Sequence, residues 1–276
     1  VKSNKKDKMG ILQILRAPTS RVFSTGIFLH TLRFTLRVIP VIVWLLLGLL
    51  TVTLVFPLAP GRWRSALNHS WSRALMTLCG VNIRVLGTPV LDAPVLWVAN
   101  HVSWIDIFCL NHVRSTAFVA KREIRAWPVI GWLVAGAGTI FIERGNRQAL
   151  RHVSEAMQQR LHCGEAVGLF PEGTTSAGFD VMPFHASLFE AAIRVRADIQ
   201  PVALRFYHRN KRSDIAAFTG DQTLVANMWR LLGATGVRVD LVFLASQRAA
   251  QCQEQGRHGM AVATQRAIRA AVIDSA

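Results

Sequence analysis

Asn100-His101-Val102-Ser103-Trp104-Ile105-Asp106 places an imidazole and a carboxylate five residues apart, directly after the apolar run at 94–99. A strand that stops there presents its next side chains at the rim of a sheet, where α/β proteins put their chemistry. Histidine is the side chain best suited to shuttling a proton near neutral pH. An aspartate on one ring nitrogen would fix the tautomer and stabilise the imidazolium, leaving the other nitrogen as a base. Asn100 would shape the loop. The dipeptide Asn-His also occurs at 68–69 and 111–112, but the fifth residue after those histidines is Ala74 or Ala117. With nine histidines in the chain, one accidental spacing of this kind is roughly a one-in-three event. The pair therefore needs a context.

Three further clusters sit where strands should end. Gly138-Thr139-Ile140-Phe141-Ile142-Glu143-Arg144 delivers Arg144 at a strand exit, where a guanidinium can hold a phosphate or carboxylate with two hydrogen bonds. Phe170-Pro171-Glu172-Gly173-Thr174-Thr175-Ser176 combines a glycine that permits close backbone approach with hydroxyls and amides that can receive an anion. It reads equally well as a turn with a helix cap. Ile199-Gln200-Pro201-Val202 is a strand whose proline should lie at an edge or at the strand's start. No histidine or cysteine spacing suggests a metal site.

The elements that must position these groups follow from periodicity. Apolar strand-like runs occur at 95–99, 117–120, 139–143, 166–170, 199–206 and 237–244. Helical spacing of apolar residues marks 148–161, with Leu150, Val153, Met157 and Leu161, and also marks 188–195 and 252–273. Such alternation predicts an α/β fold, a mostly parallel central sheet flanked by helices. The basic stretch 207–214 reads as a loop.

The chain of 276 residues is 51% hydrophobic and only 17% charged, and the apolar excess is concentrated near one end. From 38 to 59 there is no charged residue, a run of 22 positions that as a helix would reach about 33 Å, enough to cross a hydrocarbon core. Eight basic residues precede it (Lys2, Lys5, Lys6, Lys8, Arg16, Arg21, Arg33 and Arg37), and Arg62, Arg64 and Arg73 follow. A single span with its enzyme domain in the cytosol would put the basic end outside, against the positive-inside rule. A hairpin that dips into the membrane and returns satisfies both flanks, with Pro57, Pro60 and Gly61 as the turn. Its second arm carries Trp63, Leu67, Trp71, Leu75 and Leu78 near every fourth position, as suits a helix in the headgroup layer. This gives a basic segment at 1–37, a membrane-associated helical hairpin at 38–79 and a catalytic domain at 80–276. The apolar run is too long, and starts too late, for a cleaved signal peptide. The net charge of +16 implies an acidic partner. An anionic membrane surface fits it better than nucleic acid, for which no binding module is present. Cys79, Cys109, Cys163 and Cys252 read as reduced, mostly buried thiols of a cytosolic compartment.

Taken together and in order, Asn-His-x4-Asp, Gly-x-Ile-Phe-Ile-x-Arg, Phe-Pro-Glu-Gly-Thr and Ile-x-Pro-Val resemble the four sequence blocks of the glycerolipid acyltransferase family, the PlsC-like group. The resemblance runs from about 81 to 244, and the apolar hairpin is similar to that of bacterial members. It implies transfer of a fatty acyl group from acyl carrier protein or coenzyme A, as co-substrate and with no bound cofactor, to a lysolipid hydroxyl. In that chemistry His101 takes the proton and Asp106 orients it, by direct attack in a ternary complex. By resemblance, Arg144, Glu172, Gly173 and Thr174 position the acceptor headgroup, and Lys121 contributes to anion binding. The implied location is the cytoplasmic (inner) membrane, with the catalytic domain on its cytoplasmic face. Thr175 departs from the pattern, since many phosphatidate-forming members carry arginine there. Glu-Gly-Thr-Thr-Ser followed by Pro183-Phe184-His185 resembles the lyso-ornithine lipid branch instead. The acceptor thus reads first as 1-acyl-sn-glycerol-3-phosphate, with lyso-ornithine lipid as the alternative. A basic membrane-binding protein that has kept the blocks only as scaffold is the more distant reading.

Overall fold

The computed structural model describes residues 19–143 and 147–274. Two helices come first: α1 (Thr19–Leu50), which continues as a wider π turn over Thr51–Val55, and α2 (Gly61–Leu78). The turn at 56–60 contains Pro57 and Pro60, as the sequence predicts. The expected boundary at 37/38 does not exist, because α1 runs through it without a break. Charge did not end the helix there, because Arg37 turns inward and donates to the carbonyls of Leu232 (3.0 Å) and Ala234 (2.6 Å). The second arm also differs from a free interfacial helix. Its stripe turns into the body at Leu75 and Met76, which are buried, while Trp63 near its start stays exposed.

Eight strands follow among the described residues: β1 (Val81–Gly87), β2 (Val95–Ala99), β3 (Thr116–Lys121), β4 (Ile140–Ile142), β5 (Ala166–Leu169), β6 (Asp198–His208), β7 (Lys211–Arg212) and β8 (Val237–Phe243). The helices between and after them are α3 (Asp106–Asn111), α4 (Ile130–Gly136), α5 (Arg147–His162), α6 (Phe189–Arg194), α7 (Leu224–Gly233) and α8 (Ala249–Ile273). The main sheet order is β1-β8-β6-β2-β5-β3-β4. β6, β2, β5, β3 and β4 run parallel, whereas β8 opposes β6 and carries β1 parallel to itself. The α/β architecture with a mostly parallel sheet is thus the observed one.

Both faces of the sheet are covered, as an all-apolar central strand requires. All five residues of β2 are buried. Val95, Trp97 and Ala99 face the layer containing Leu75, Met76, Cys109 and Leu231. Leu96 and Val98 face the layer containing Val153, Met157, Phe189, Met260 and Ile268. This period-two alternation sends successive side chains of one strand to opposite cores.

Two expectations fail here. Residues 207–214 are not a loop: Arg209 and Asn210 take left-handed backbone (φ 51° and 64°) and fold β7 back onto β6 as a tight hairpin. Its charge is absorbed locally, since the guanidiniums of Arg212 and Arg238 lie 5.6 and 4.3 Å from the Tyr207 ring centroid. Nor does Pro201 sit at an edge or a strand start. It lies inside β6, paired with Val98 of β2, one residue beyond the last β8 partner. The missing donor is replaced: Leu244 N donates to Pro201 O (3.0 Å), and Gln200 Nε2 donates to Leu244 O (3.1 Å) where a proline N–H would have been needed.

Candidate functional site

The carboxyl ends of neighbouring parallel strands bring the sequence blocks together. His101 follows β2, Glu172 follows β5, and Lys121 ends β3. β2 and β3 flank β5 in the sheet, so these residues emerge along one edge.

At the centre, His101 Nδ1 lies 2.8 Å from Asp106 Oδ2. The same oxygen accepts from the backbone N–H groups of Val102 (2.7 Å) and Ser103 (3.0 Å). Asp106 is the first residue of α3, where the amino-terminal helix dipole favours a carboxylate. The aspartate is fully buried while the histidine side chain keeps 23% exposure. A carboxylate on Nδ1 makes that nitrogen the donor, so Nε2 presents its lone pair to the reacting group. The ring is clamped in plane as well, stacked on Phe170 at 4.3 Å and 15°.

The backbone of His101 is held from both sides. Its N–H donates to Glu172 Oε1 (2.7 Å), and its carbonyl accepts from Ser176 N (2.8 Å). Glu172 Oε2 in turn accepts from Met182 N (3.0 Å). Burial raises the Glu172 carboxyl above its ordinary range, against the pull of those two amide donors and the nearby His101. Both oxygens of this buried acid are therefore occupied in tying three loop segments together. That is a positioning role rather than the headgroup contact expected from the sequence.

The other expected residues divide similarly. Asn100 is buried and completes the ladder with β6: its Oδ1 accepts from Leu204 N (2.8 Å) and its Nδ2 donates to Leu204 O (3.1 Å). Its side chain shapes the loop and is not presented to a substrate. Gly173 adopts φ +71°, a left-handed turn that an L side chain rarely takes. Thr174 is exposed beside it, and Lys121 is exposed at the end of β3. Thr175 donates its hydroxyl to the carbonyl of Phe218, whose own N–H donates to Val102 O (2.9 Å). Arg144 lies outside the described residues.

Several contributors escaped the sequence reading. The segment 216–222 is tied to the loops of the site through Phe218, which donates to Val102 O and accepts from Thr175 Oγ1. Asn227 of α7, fully buried, accepts from Trp104 Nε1 (2.8 Å) and donates to Ala217 O (2.8 Å). One polar residue inside the apolar stretch Leu224-Val225-Ala226-Asn227-Met228-Trp229 was the available signal. Arg212 Nη2 holds Gly178 O at 2.6 Å, bracing the loop that carries Thr174–Ser176.

Behind Phe170 the stack continues to Phe118 (5.6 Å, 9°). Phe118 lies flat across β5 only because residue 168 is glycine: a Cβ there would approach the ring at 2.2 Å. Phe118 also lines an apolar cavity of about 210 Å³ between the domain and the helical hairpin, with Trp44, Gly48, Val52, Trp71, Phe108 and Leu133. Two stacked rings, Phe170 and Phe118, thus lie between the His101–Asp106 pair and a space suited to a hydrocarbon chain.

Comparison with known proteins agrees with this geometry. A family model described as Acyltransferase matches residues 82–205. A 1-acyl-sn-glycerol-3-phosphate acyltransferase of Neisseria gonorrhoeae is 35% identical over 193 residues, covering 69% of this chain and 75% of that protein. A lyso-ornithine lipid O-acyltransferase of Pseudomonas aeruginosa is 38% identical over 169 residues, covering 61% and 65%. The crystal structure of the 1-acyl-sn-glycerophosphate acyltransferase PlsC from Thermotoga maritima superposes with a TM-score of 0.61 at 21% identity, over 86% of this chain and 96% of that one. At that identity the last likeness speaks for the fold.

Proposed function

The chain belongs to the acyltransferase family, and we propose that it moves a fatty acyl group from a thioester on acyl carrier protein or coenzyme A to the free hydroxyl of 1-acyl-sn-glycerol-3-phosphate. The observation that carries this reading is the His101–Asp106 pair at 2.8 Å with its loop held on both sides. An alcohol attacks a thioester only as its proton departs, so a base aligned in advance is what the reaction requires. His101 Nε2 takes the hydroxyl proton while the oxygen forms the new ester bond. Asp106 stabilises the imidazolium. The carbon–sulfur bond breaks, and the departing thiolate recovers the proton from His101, which returns the pair to its starting state. No nucleophilic side chain is needed, and the reaction passes through a ternary complex. The apolar cavity behind Phe170 and Phe118 suits the acyl chain.

The exposed apolar flank of α1 serves as the membrane anchor, with the domain on the cytoplasmic face. By length and composition the helix over Gly26–Val55 is apolar enough to enter a membrane. The exposure of Lys121 and Thr174 supports a role for them in receiving the acceptor's headgroup.

A second acceptor, lyso-ornithine lipid, is favoured by one observation. The Thr175 hydroxyl is committed to the Phe218 carbonyl, so this position offers a phosphate no cation and no spare hydroxyl proton. Acyl transfer measured separately on the two lysolipids, with each thioester donor, tests both readings. Product from lysophosphatidate supports the first, and product from lyso-ornithine lipid alone replaces it with the second. Activity on neither would refute acylation of these lysolipids.

A further inference from the structure

The flank of α1 opposite its exposed side packs against α7 and α4 of the domain and, between them, against α2. Gly233 of α7 lies so close to His30 that a Cβ would meet the ring at 2.1 Å. Trp44 Nε1 donates to Trp71 O (3.1 Å), and a Cβ on Gly136 of α4 would meet Val52 at 2.1 Å. From His30 to Val52 is about 33 Å at roughly 1.5 Å per residue, as long as the hydrocarbon core is thick. A helix with an α/β domain alongside it over that distance cannot cross a bilayer end to end, because the domain would have to enter too. As an anchor it would lie along one leaflet, since Leu36, Ile39, Ile42, Val43 and Leu50 are exposed.

The domain itself continues this apolar face. On α7, Val225 (72% exposed) and Trp229 (39%) form one stripe four residues apart, and the Trp229 ring sits 4.7 Å from Phe34 and 4.9 Å from His30 of α1. Beside the other half of α1, α4 brings Leu133 against Gly48 and leaves Trp132 65% exposed, with Trp127 just before it. Arg125, 5.5 Å from the Phe141 ring centroid, accompanies these tryptophans, and Arg122 beside it pairs with Glu143 (2.7 Å). Tryptophan and arginine interleaved at an apolar border is the composition of the membrane–water boundary.

We propose that α7, through Val225 and Trp229, and the segment 127–132, through Trp127 and Trp132, form a second lipid-binding surface borne by the catalytic domain. Its partner is the headgroup–acyl boundary of one leaflet of an anionic membrane, continuous with the face of α1. The proposal rests on the reading of α1 as a membrane anchor. It also links the membrane to the site, since the inner side of α7 carries Asn227, which holds Trp104 of the catalytic loop.

The test uses the full chain with Cys163, the exposed cysteine, changed to serine; Cys79, Cys109 and Cys252 are buried. Single cysteines replace Ile42 on α1, Val225, Trp132 and, as a solvent control, Glu254 on α8. Each carries an environment-sensitive fluorophore, and circular dichroism checks that each labelled protein keeps the wild-type fold. They are added to phosphatidylglycerol vesicles containing a lipid spin-labelled high on its acyl chain. The expected result is loss of emission at 42, 225 and 132, with none at 254. Loss at 42 with either 225 or 132 as unresponsive as 254 overturns the second surface and leaves the anchor standing. No loss at 42 overturns both.

Discussion

The loops that follow β2 and β5 lie side by side and are built to opposite ends. In the loop 100–106 the groups that could react are displayed, and the groups that could wander are pinned. Asp106 spends one oxygen on three donors, and His101 is fixed through its ring, its N–H and its carbonyl. In the loop 171–176 the charged residue is the pinned one. Glu172 is buried, with each oxygen accepting from a backbone amide, while the unremarkable Thr174 faces outward. Residue type therefore does not identify function here. An acid in the first loop binds the His101 ring nitrogen, and an acid in the second holds the His101 backbone.

Breaking the first loop should cost most. His101→Ala should reduce turnover by about 10³-fold or more with the fold retained, measured as acyl transfer alongside circular dichroism. Asp106→Asn should cost roughly 10²–10⁴-fold in kcat with little change in KM, because an amide facing Nδ1 selects the wrong tautomer. Normal turnover in either variant would remove the base–orienter assignment.

Glu172→Gln is the sharper comparison. An amide can accept from one backbone N–H but presents a donor to the other, leaving His101 N or Met182 N unsatisfied at about 1–3 kcal/mol. The expected outcome is a roughly 10- to 100-fold lower kcat and a lowered melting temperature together. A large rise in KM for acceptor at unchanged stability would return Glu172 to the headgroup.

Thr175→Arg should have a smaller effect, shifting the ratio of kcat/KM for lysophosphatidate over lyso-ornithine lipid upward by about 10-fold, the worth of one charge-assisted contact. An unchanged ratio would show that position 175 does not choose the acceptor.

The smallest effect is the pH dependence of stability. With its carboxyl raised by burial, Glu172 holds its proton in the folded protein at pH values where the unfolded chain has released it. Its stabilising contribution is complete below the ordinary glutamate pKa and is lost as pH rises through the raised value. The melting temperature of the wild type should therefore gain on that of Glu172→Gln from neutral to mildly acidic pH. A difference that stays flat or moves the other way would contradict the burial argument.

The chemistry was more legible in the sequence than its support. β2 falls at the predicted 95–99, and β3, β5 and β8 fall within a residue or two, because buried parallel strands are short apolar runs with clear ends. α3 escaped detection because six residues are too few to show a helical period. β7 was hidden by the non-glycine left-handed residues Arg209 and Asn210, which give no turn signal as strong as glycine. His101 and Asp106 could be read because they are close in the chain. The Glu172–His101, Thr175–Phe218 and Trp104–Asn227 contacts join residues 71, 43 and 123 positions apart, and no local pattern announces such pairs.

The central claim is that His101 removes the proton of a lysolipid hydroxyl for direct attack on a thioester. The most direct measurement is a single-turnover reaction of the full chain in lipid with isotopically labelled acyl thioester, first without acceptor and then with it, comparing wild type and His101→Ala. The account predicts no label on the wild-type protein without acceptor, labelled diacyl lipid once acceptor is added, and neither product nor protein label with His101→Ala. Label covalently attached to the wild-type protein before acceptor arrives, or diacyl lipid formed at the wild-type rate by His101→Ala, would contradict it.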